Sequence, residues 1–315
     1  MRLASFSLDG ADHVGVEKSD SDIAIIDGVA SMLDLICMGD AADATIRAAL
    51  AADNTVCVDA ITWQPPVTRP GKICGVAMNN SASNERKISA PDHPAFFLKP
   101  ASCLVGHGNA IRIRTYYGSA HPEPELAVVI GRRTKDIDAV DAMDSIFGYT
   151  ICNDITGNGM RAEDLFHYWA LYANPDKPGE LSRREQHLSY AARYKGTDTF
   201  GCLGPVLVTA DEVSDPDDLA VSCSVGGEIV AEDSTRYYNY KVAELVSYIS
   251  QFMTLEPGDI ISCGTAFKPS PGRKSIHSAN FQQVAGPVEV SIEGLGTLVN
   301  EVIVEDRDIG QWRLS

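Results

Sequence analysis

Glu123 and Glu125 stand two apart in His121-Pro-Glu-Pro-Glu-Leu-Ala-Val-Val-Ile-Gly131, and Asp154 closes Tyr149-Thr-Ile-Cys-Asn-Asp154. On a strand, residues two apart point to the same face. The two glutamates can therefore grip one ion together, with Asp154 as a third donor from a neighbouring strand. Three oxygen ligands, with no His or Cys expected nearby, suit Mg²⁺ or Mn²⁺ far better than Zn²⁺. An octahedral ion on three protein ligands keeps open positions, which a carboxylate beside a ketone, or a 1,3-dicarbonyl, can chelate. Such an ion polarises the carbonyl and stabilises the enolate formed when a C–C bond breaks. A Glu-x-Glu pair alone more often marks exposed side chains on an edge strand. The sequence around this one decides against that reading.

Those donors need strands to hold them. Leu126–Ile130, closed by Gly131, is an apolar run of strand length, and Phe147–Cys152 is a second. From Gly71 onward, short apolar runs punctuated by Gly and Pro predict a β-rich domain. One helix is expected over Val242–Leu255, where Val242, Leu245, Val246, Ile249 and Phe252 recur at helical spacing. Gln64-Pro-Pro-Val-Thr-Arg-Pro-Gly71 reads as a linker. Ahead of it lie short strand-like stretches (Arg2–Ser7, Val14–Val16, Ile23–Ile26) and two expected helices, Ser31–Met38 and Ala41–Ala52. Asp40 is placed to cap the second helix. The chain thus divides into a small N-terminal α+β domain, residues 1–66, and a β-rich α+β domain, residues 67–315. The first carries no recognisable chemistry.

Composition sets limits. A chain of 315 residues with 44% hydrophobic content can bury one large core or two smaller ones. No run of roughly eighteen apolar residues suggests a membrane span, and the first residues lack the apolar centre of a secretory signal. Eight cysteines without C-x-x-C spacing are expected to be free thiols in a reducing cytoplasm. A net charge of −17 argues against nucleic-acid or anionic-membrane partners. A small anionic substrate must then be drawn in by the metal and by local cations.

Seven blocks now line up in order. They are Pro70–Asn79, Phe96-Phe-Leu-Lys-Pro-Ala-Ser-Cys-Leu-Val-Gly106, Glu123–Gly131, Gly148-Tyr-Thr-Ile-Cys-Asn-Asp154, Lys195 with Asp198-Thr-Phe200 and Leu203-Gly-Pro205, Gln251–Asp259 with Gly264-Thr265, and Ile292-Glu-Gly-Leu-Gly-Thr-Leu298. Together they resemble the fumarylacetoacetate hydrolase family, in its 2-hydroxyhepta-2,4-diene-1,7-dioate isomerase and acylpyruvase-like branch. The resemblance implies a twisted β-roll catalytic domain with flanking helices, assembled as a homodimer. It implies that Glu123, Glu125 and Asp154 hold Mg²⁺ or Mn²⁺. Lys195 is then a cation for the developing oxyanion, and Gly264 and Thr265 are candidates to hold a substrate carboxylate. Lys99, before a proline, is left open between a structural and a catalytic part.

The chain also departs from the family pattern. Many members carry N-x-x-x-H-x-x-E in a mobile lid, where His and Glu activate water. Counted from Asn79, those positions hold Ser83 and Arg86; counted from Asn80, they hold Asn84 and Lys87. Within a lid of about 79–95, Glu85 and His93 remain as candidate bases. Asn158 occupies the place of a family arginine, with Arg161 and Arg193 as possible substitutes. An aromatic-rich insertion, about 164–194, contains a charged, helix-like stretch, Glu180–Tyr194. Its His167 and His187 are read as incidental to catalysis. The expected function is metal-dependent hydrolysis of a C–C bond in a β-diketo or acylpyruvate-type acid. The alternative is an oxo-acid decarboxylase, tautomerase or isomerase that needs no activated water, and a non-catalytic binding protein is the third possibility.

Overall fold

The computed structural model describes residues 1–81, 84, 87–266, 276, 279–284 and 286–307. Its frame is a twelve-stranded mixed sheet. From one edge the path runs Thr55–Cys57, Asp22–Ile25, Ala11–Glu17, Arg2–Leu8, Gly201–Thr209, Ile146–Asp154, Pro124–Ile130, Ile260–Thr265, Ile73–Ala77 and Ala95–Lys99. The carboxylate-bearing strands, Pro124–Ile130 and Ile146–Asp154, lie side by side in the interior of this order. Every residue of Pro124–Ile130 is buried, which is why Leu126–Ile130 reads as an unbroken apolar run rather than an alternating one. Leu126, Val128 and Ile130 point into one core, and Ala127 and Val129 into the other. The strand period of two is thus written into two separate packing layers.

On the first face, the helix Val242–Phe252 buries Val242, Leu245, Val246 and Ile249. Phe252, counted in its apolar stripe, is 62% exposed at the helix end. A four-stranded sheet of Glu228–Ser234, Ala220–Val225, Val288–Ile292 and Gly296–Asn300 closes the same side. Leu245→Ala removes a fully buried side chain from this layer and is expected to lower stability by about 2–5 kcal/mol. A urea melt measures it directly. On the second face lie the N-terminal helices Met32–Cys37 and Ala41–Ala51. The first is capped by Ser31, whose side chain accepts from the Asp34 amide at 3.2 Å.

Asp40 makes no side-chain cap for the second helix; its own backbone is already helical, so its carboxylate is not presented to the free amides. The expected boundary near residue 66 is a break in neither the sheet nor the core. Arg2–Leu8 pairs antiparallel with Gly201–Thr209, and Leu3, Leu35 and Ile46 share a cluster with Val129, Leu203 and Leu207. The stretch 180–194 is not one helix. Leu181–Ser189 pairs residue for residue with Leu165–Ala173 as a two-stranded hairpin, and only Ala192–Gly196 is helical. The partner strand supplies the hydrogen bonds that the charged composition alone suggested a helix would make. All eight cysteines are free, six of them buried. No helix among the described residues is long and apolar enough to cross a membrane.

Candidate active site

The strand ends bring the three carboxylates together. Ligand oxygens of Glu123, Glu125 and Asp154 all lie within 4.8 Å of one another. The backbone sets their relation: the Asp154 amide donates to the Glu123 carbonyl at 2.9 Å, and the Glu123 amide donates to Asn153 Oδ1 at 3.0 Å. Between Glu125 and Ala127 the pairing with Ile260–Thr265 shifts register. That irregularity lets several donors from one strand meet a single carboxylate. Ser262 Oγ donates to Glu125 Oε2 at 2.5 Å and the Gly264 amide does so at 3.1 Å.

Two lysines balance the acids. Lys195 Nζ lies 2.5 Å from Asp154 Oδ2 and 2.7 Å from Glu123 Oε2. Lys99 Nζ donates to Asp154 Oδ1 at 2.6 Å, to the Phe200 carbonyl at 3.2 Å, and to the Lys195 carbonyl. Burial alone would discharge both amines, but Asp154 above all holds each of them protonated, above the usual lysine range. Lys99 thus has a clear structural part: it fixes Asp154 and the chain around Lys195.

The carboxylates are not alike. Burial opposes charge on Glu123, yet the Lys195 ammonium and the His121 hydrogen bond hold it well below the ordinary glutamate value. Glu125 is pushed up to about 8 by burial and then by the Asp154 charge. Three acids against two contacting ammonium groups leave the cluster one negative charge in excess, which a proton on Glu125 neutralises below about pH 8. This donor set fits a hard divalent ion, which would take over that excess and displace the proton. Affinity for Mn²⁺ is accordingly expected to rise about tenfold per pH unit up to about 8 and then level off. Titration calorimetry between pH 6 and 9 checks this. The sign for the metal-free fold is opposite. A carboxyl raised from 4.5 to about 8 stabilises the fold fully below the lower value and loses that contribution as pH climbs through the upper one.

Several expectations meet a different arrangement. Gly264 and Thr265 face the metal carboxylates: besides the Gly264 contact, Thr265 Oγ1 lies 3.0 Å from Glu123 Oε2 and 3.2 Å from Glu125 Oε1. They orient the acids, because the strand carrying them runs directly beside Glu125. His93 is stacked on Tyr248 and lies 2.8 Å from its hydroxyl, in a separate hollow with Glu244 and Gln251. Glu85 falls outside the described residues. Arg193 is tied to Glu163 and Asp164, each at 2.9 Å, whereas Arg161 lines the cleft.

One residue was missed. His121 is buried beside the acids, with Nε2 3.3 Å from Glu123 Oε1 and Nδ1 3.0 Å from Asn158 Nδ2. A histidine therefore does stand next to the carboxylates. The signal was present in the numbering, since 121, 123 and 125 share one parity. Asn158, where the family pattern has arginine, holds this imidazole instead.

Above the acids opens a cleft of about 400 Å³, lined by Glu123, Arg161, Tyr194, Lys195, Thr265 and Phe97 among others. The fumarylacetoacetate (FAA) hydrolase C-terminal family matches residues 72–303. The chain belongs to the fumarylacetoacetate hydrolase family. It is 33% identical over 314 residues to the mitochondrial oxaloacetate tautomerase FAHD2A of Bos taurus, covering 96% of this chain and 92% of that one. Among solved structures it is similar to a fumarylacetoacetate hydrolase from psychrophilic Exiguobacterium antarcticum, with a TM-score of 0.75, 25% identity, and 97% and 100% of the two chains covered. The 2-hydroxyhepta-2,4-diene-1,7-dioate isomerase of Mycobacterium marinum gives a TM-score of 0.69 at 26% identity, covering 98% and 100%. Family membership accounts for the seven sequence blocks, and the mixed, sheet-rich fold agrees with theirs.

Proposed function

We propose that this enzyme is a divalent-metal-dependent keto–enol tautomerase of a short 2-oxo dicarboxylic acid, with oxaloacetate as the type substrate. One observation carries the reading. Among the described residues lining the cleft, the titratable groups are Glu123, Arg161, Tyr194 and Lys195. Two of the four are cations, which suits a doubly charged acid. The bovine relative named an oxaloacetate tautomerase supports the same choice.

Glu123, Glu125 and Asp154 would hold Mg²⁺ or Mn²⁺, which supplies Lewis acidity toward the 2-oxo group. Lys195 stays protonated and offers its ammonium hydrogen to the oxygen on which charge develops during enolisation. Arg161 presents a guanidinium to the far carboxylate. Thr265, Ser262 and the Gly264 amide keep the acids oriented, and Lys99 keeps Asp154 in place.

The test is the interconversion of enol and keto oxaloacetate, followed by the loss of enol absorbance with Mg²⁺ or Mn²⁺ present. Metal-dependent acceleration supports tautomerisation; a rate equal to the uncatalysed one rules oxaloacetate out. Hydrolytic C–C cleavage of an acylpyruvate is the second reading, favoured by an aromatic-lined cleft with room beyond a four-carbon acid. Turnover in ¹⁸O-water separates the two, since hydrolysis alone must place solvent oxygen in the acid fragment.

A further inference from the structure

The hairpin formed by Leu165–Ala173 and Leu181–Ser189 carries a group of potential ligands separate from the carboxylate triad. The nine-pair ladder sets His167 directly opposite His187, with Glu185 opposite Trp169. Residues 185 and 187 are two apart on one strand, so Glu185 is the diagonal neighbour of His167 on the same face. The side chains follow that register. The two imidazoles stack with centroids 4.2 Å apart and planes 11° from parallel, and His167 Nε2 lies 2.5 Å from Glu185 Oε1. One ligand atom from each of the three falls within 4.8 Å of the others, and all three side chains are open to solvent.

The register is held from the opposite face as well. Tyr168 donates to Gln186 Oε1 at 2.8 Å, Gln186 donates to the Tyr172 hydroxyl at 3.1 Å, and the Arg184 guanidinium lies 4.8 Å over the Tyr172 ring. The cluster is therefore built on a fixed scaffold rather than on independently wandering side chains. Two nitrogens and one carboxylate are a different donor set from the all-oxygen triad.

We propose that His167, Glu185 and His187 form a second metal site, on the hairpin surface, selective for a borderline transition ion such as Zn²⁺. Three protein ligands would leave a fourth position for water or an external group. The ion would replace the direct contact between His167 and Glu185. Because its ligands come from both strands, it fastens the hairpin across its width.

Zn²⁺ is titrated calorimetrically into the full chain with millimolar Mg²⁺ present, and in parallel into Asp154→Asn, which lacks the acidic triad. Both are expected to bind one equivalent of Zn²⁺. His167→Ala/His187→Ala is expected to lose that equivalent, and the milder Glu185→Gln to weaken it at least about tenfold, one ligand's share of the affinity. Circular dichroism verifies that each variant is folded, which the exposure of the three side chains favours. Zinc stoichiometry unchanged by the double histidine substitution overturns the proposal. So does zinc binding that disappears in Asp154→Asn while the hairpin is intact.

Discussion

Lys99→Met is expected to destabilise the metal-free fold by about 3–5 kcal/mol, the range for stripping one partner from a buried ion pair. Its ammonium is completely enclosed and serves Asp154 and two backbone carbonyls at once. Methionine fills the volume but satisfies none of these acceptors, so the loss is of charge and hydrogen bonds rather than of packing. Removing the stranded acid as well should recover part of the deficit, making Lys99→Met/Asp154→Asn more stable than the single variant. Urea unfolding of the single and double variants, with chelator present, measures both. A single-variant loss below about 1 kcal/mol would mean that Lys99 is not the pin described here.

Lys195→Met has its main effect on rate. With Mn²⁺ saturating, kcat is expected to fall by about 10² to 10³, the usual consequence of deleting one preorganised donor to a developing oxyanion. KM should move much less, since the ammonium matters most once charge has built up on the substrate. The variant should still fold in the presence of the ion, because Glu123 and Asp154 then have a divalent cation in place of the lost monovalent one. Steady-state kinetics at fixed pH decide this, and a kcat within about threefold of the parent would remove Lys195 from the role.

Much of this site was legible in the residues. The parity of Glu123 and Glu125, the apolar run after them and the position of Asp154 foretold a pair of buried neighbouring strands. What escaped was governed by tertiary pairing. Thr265 and Gly264 were expected to hold a substrate carboxylate; that they also donate to Glu125 depends on which strand lies beside them, and Thr265 still lines the cleft. His93 looked available as a base until the helix Val242–Phe252 was seen to offer Tyr248 as its partner. The hairpin at 165–189 has a charged strand whose composition suits a helix equally well, and only its aromatic partner decides between them. His121 was visible in the sequence yet went unread, since the same-face rule was applied to the acids and not to the residue two before them.

The order of strands in the main sheet has a consequence for how the protein is made. Arg2–Leu8 pairs with Gly201–Thr209, and Ile73–Ala77 with Ile260–Thr265, so the sheet joins segments synthesised far apart in time. Such non-local pairing bears its loop-closure entropy before any contact repays it, and folding is correspondingly slow. Glu125 lacks its Ser262, Gly264 and Thr265 donors until that late strand has docked. Glu123, Glu125 and Asp154 come together on one local strand pair, but the Glu125 carboxylate gains its fixed orientation only when this distant segment joins the sheet.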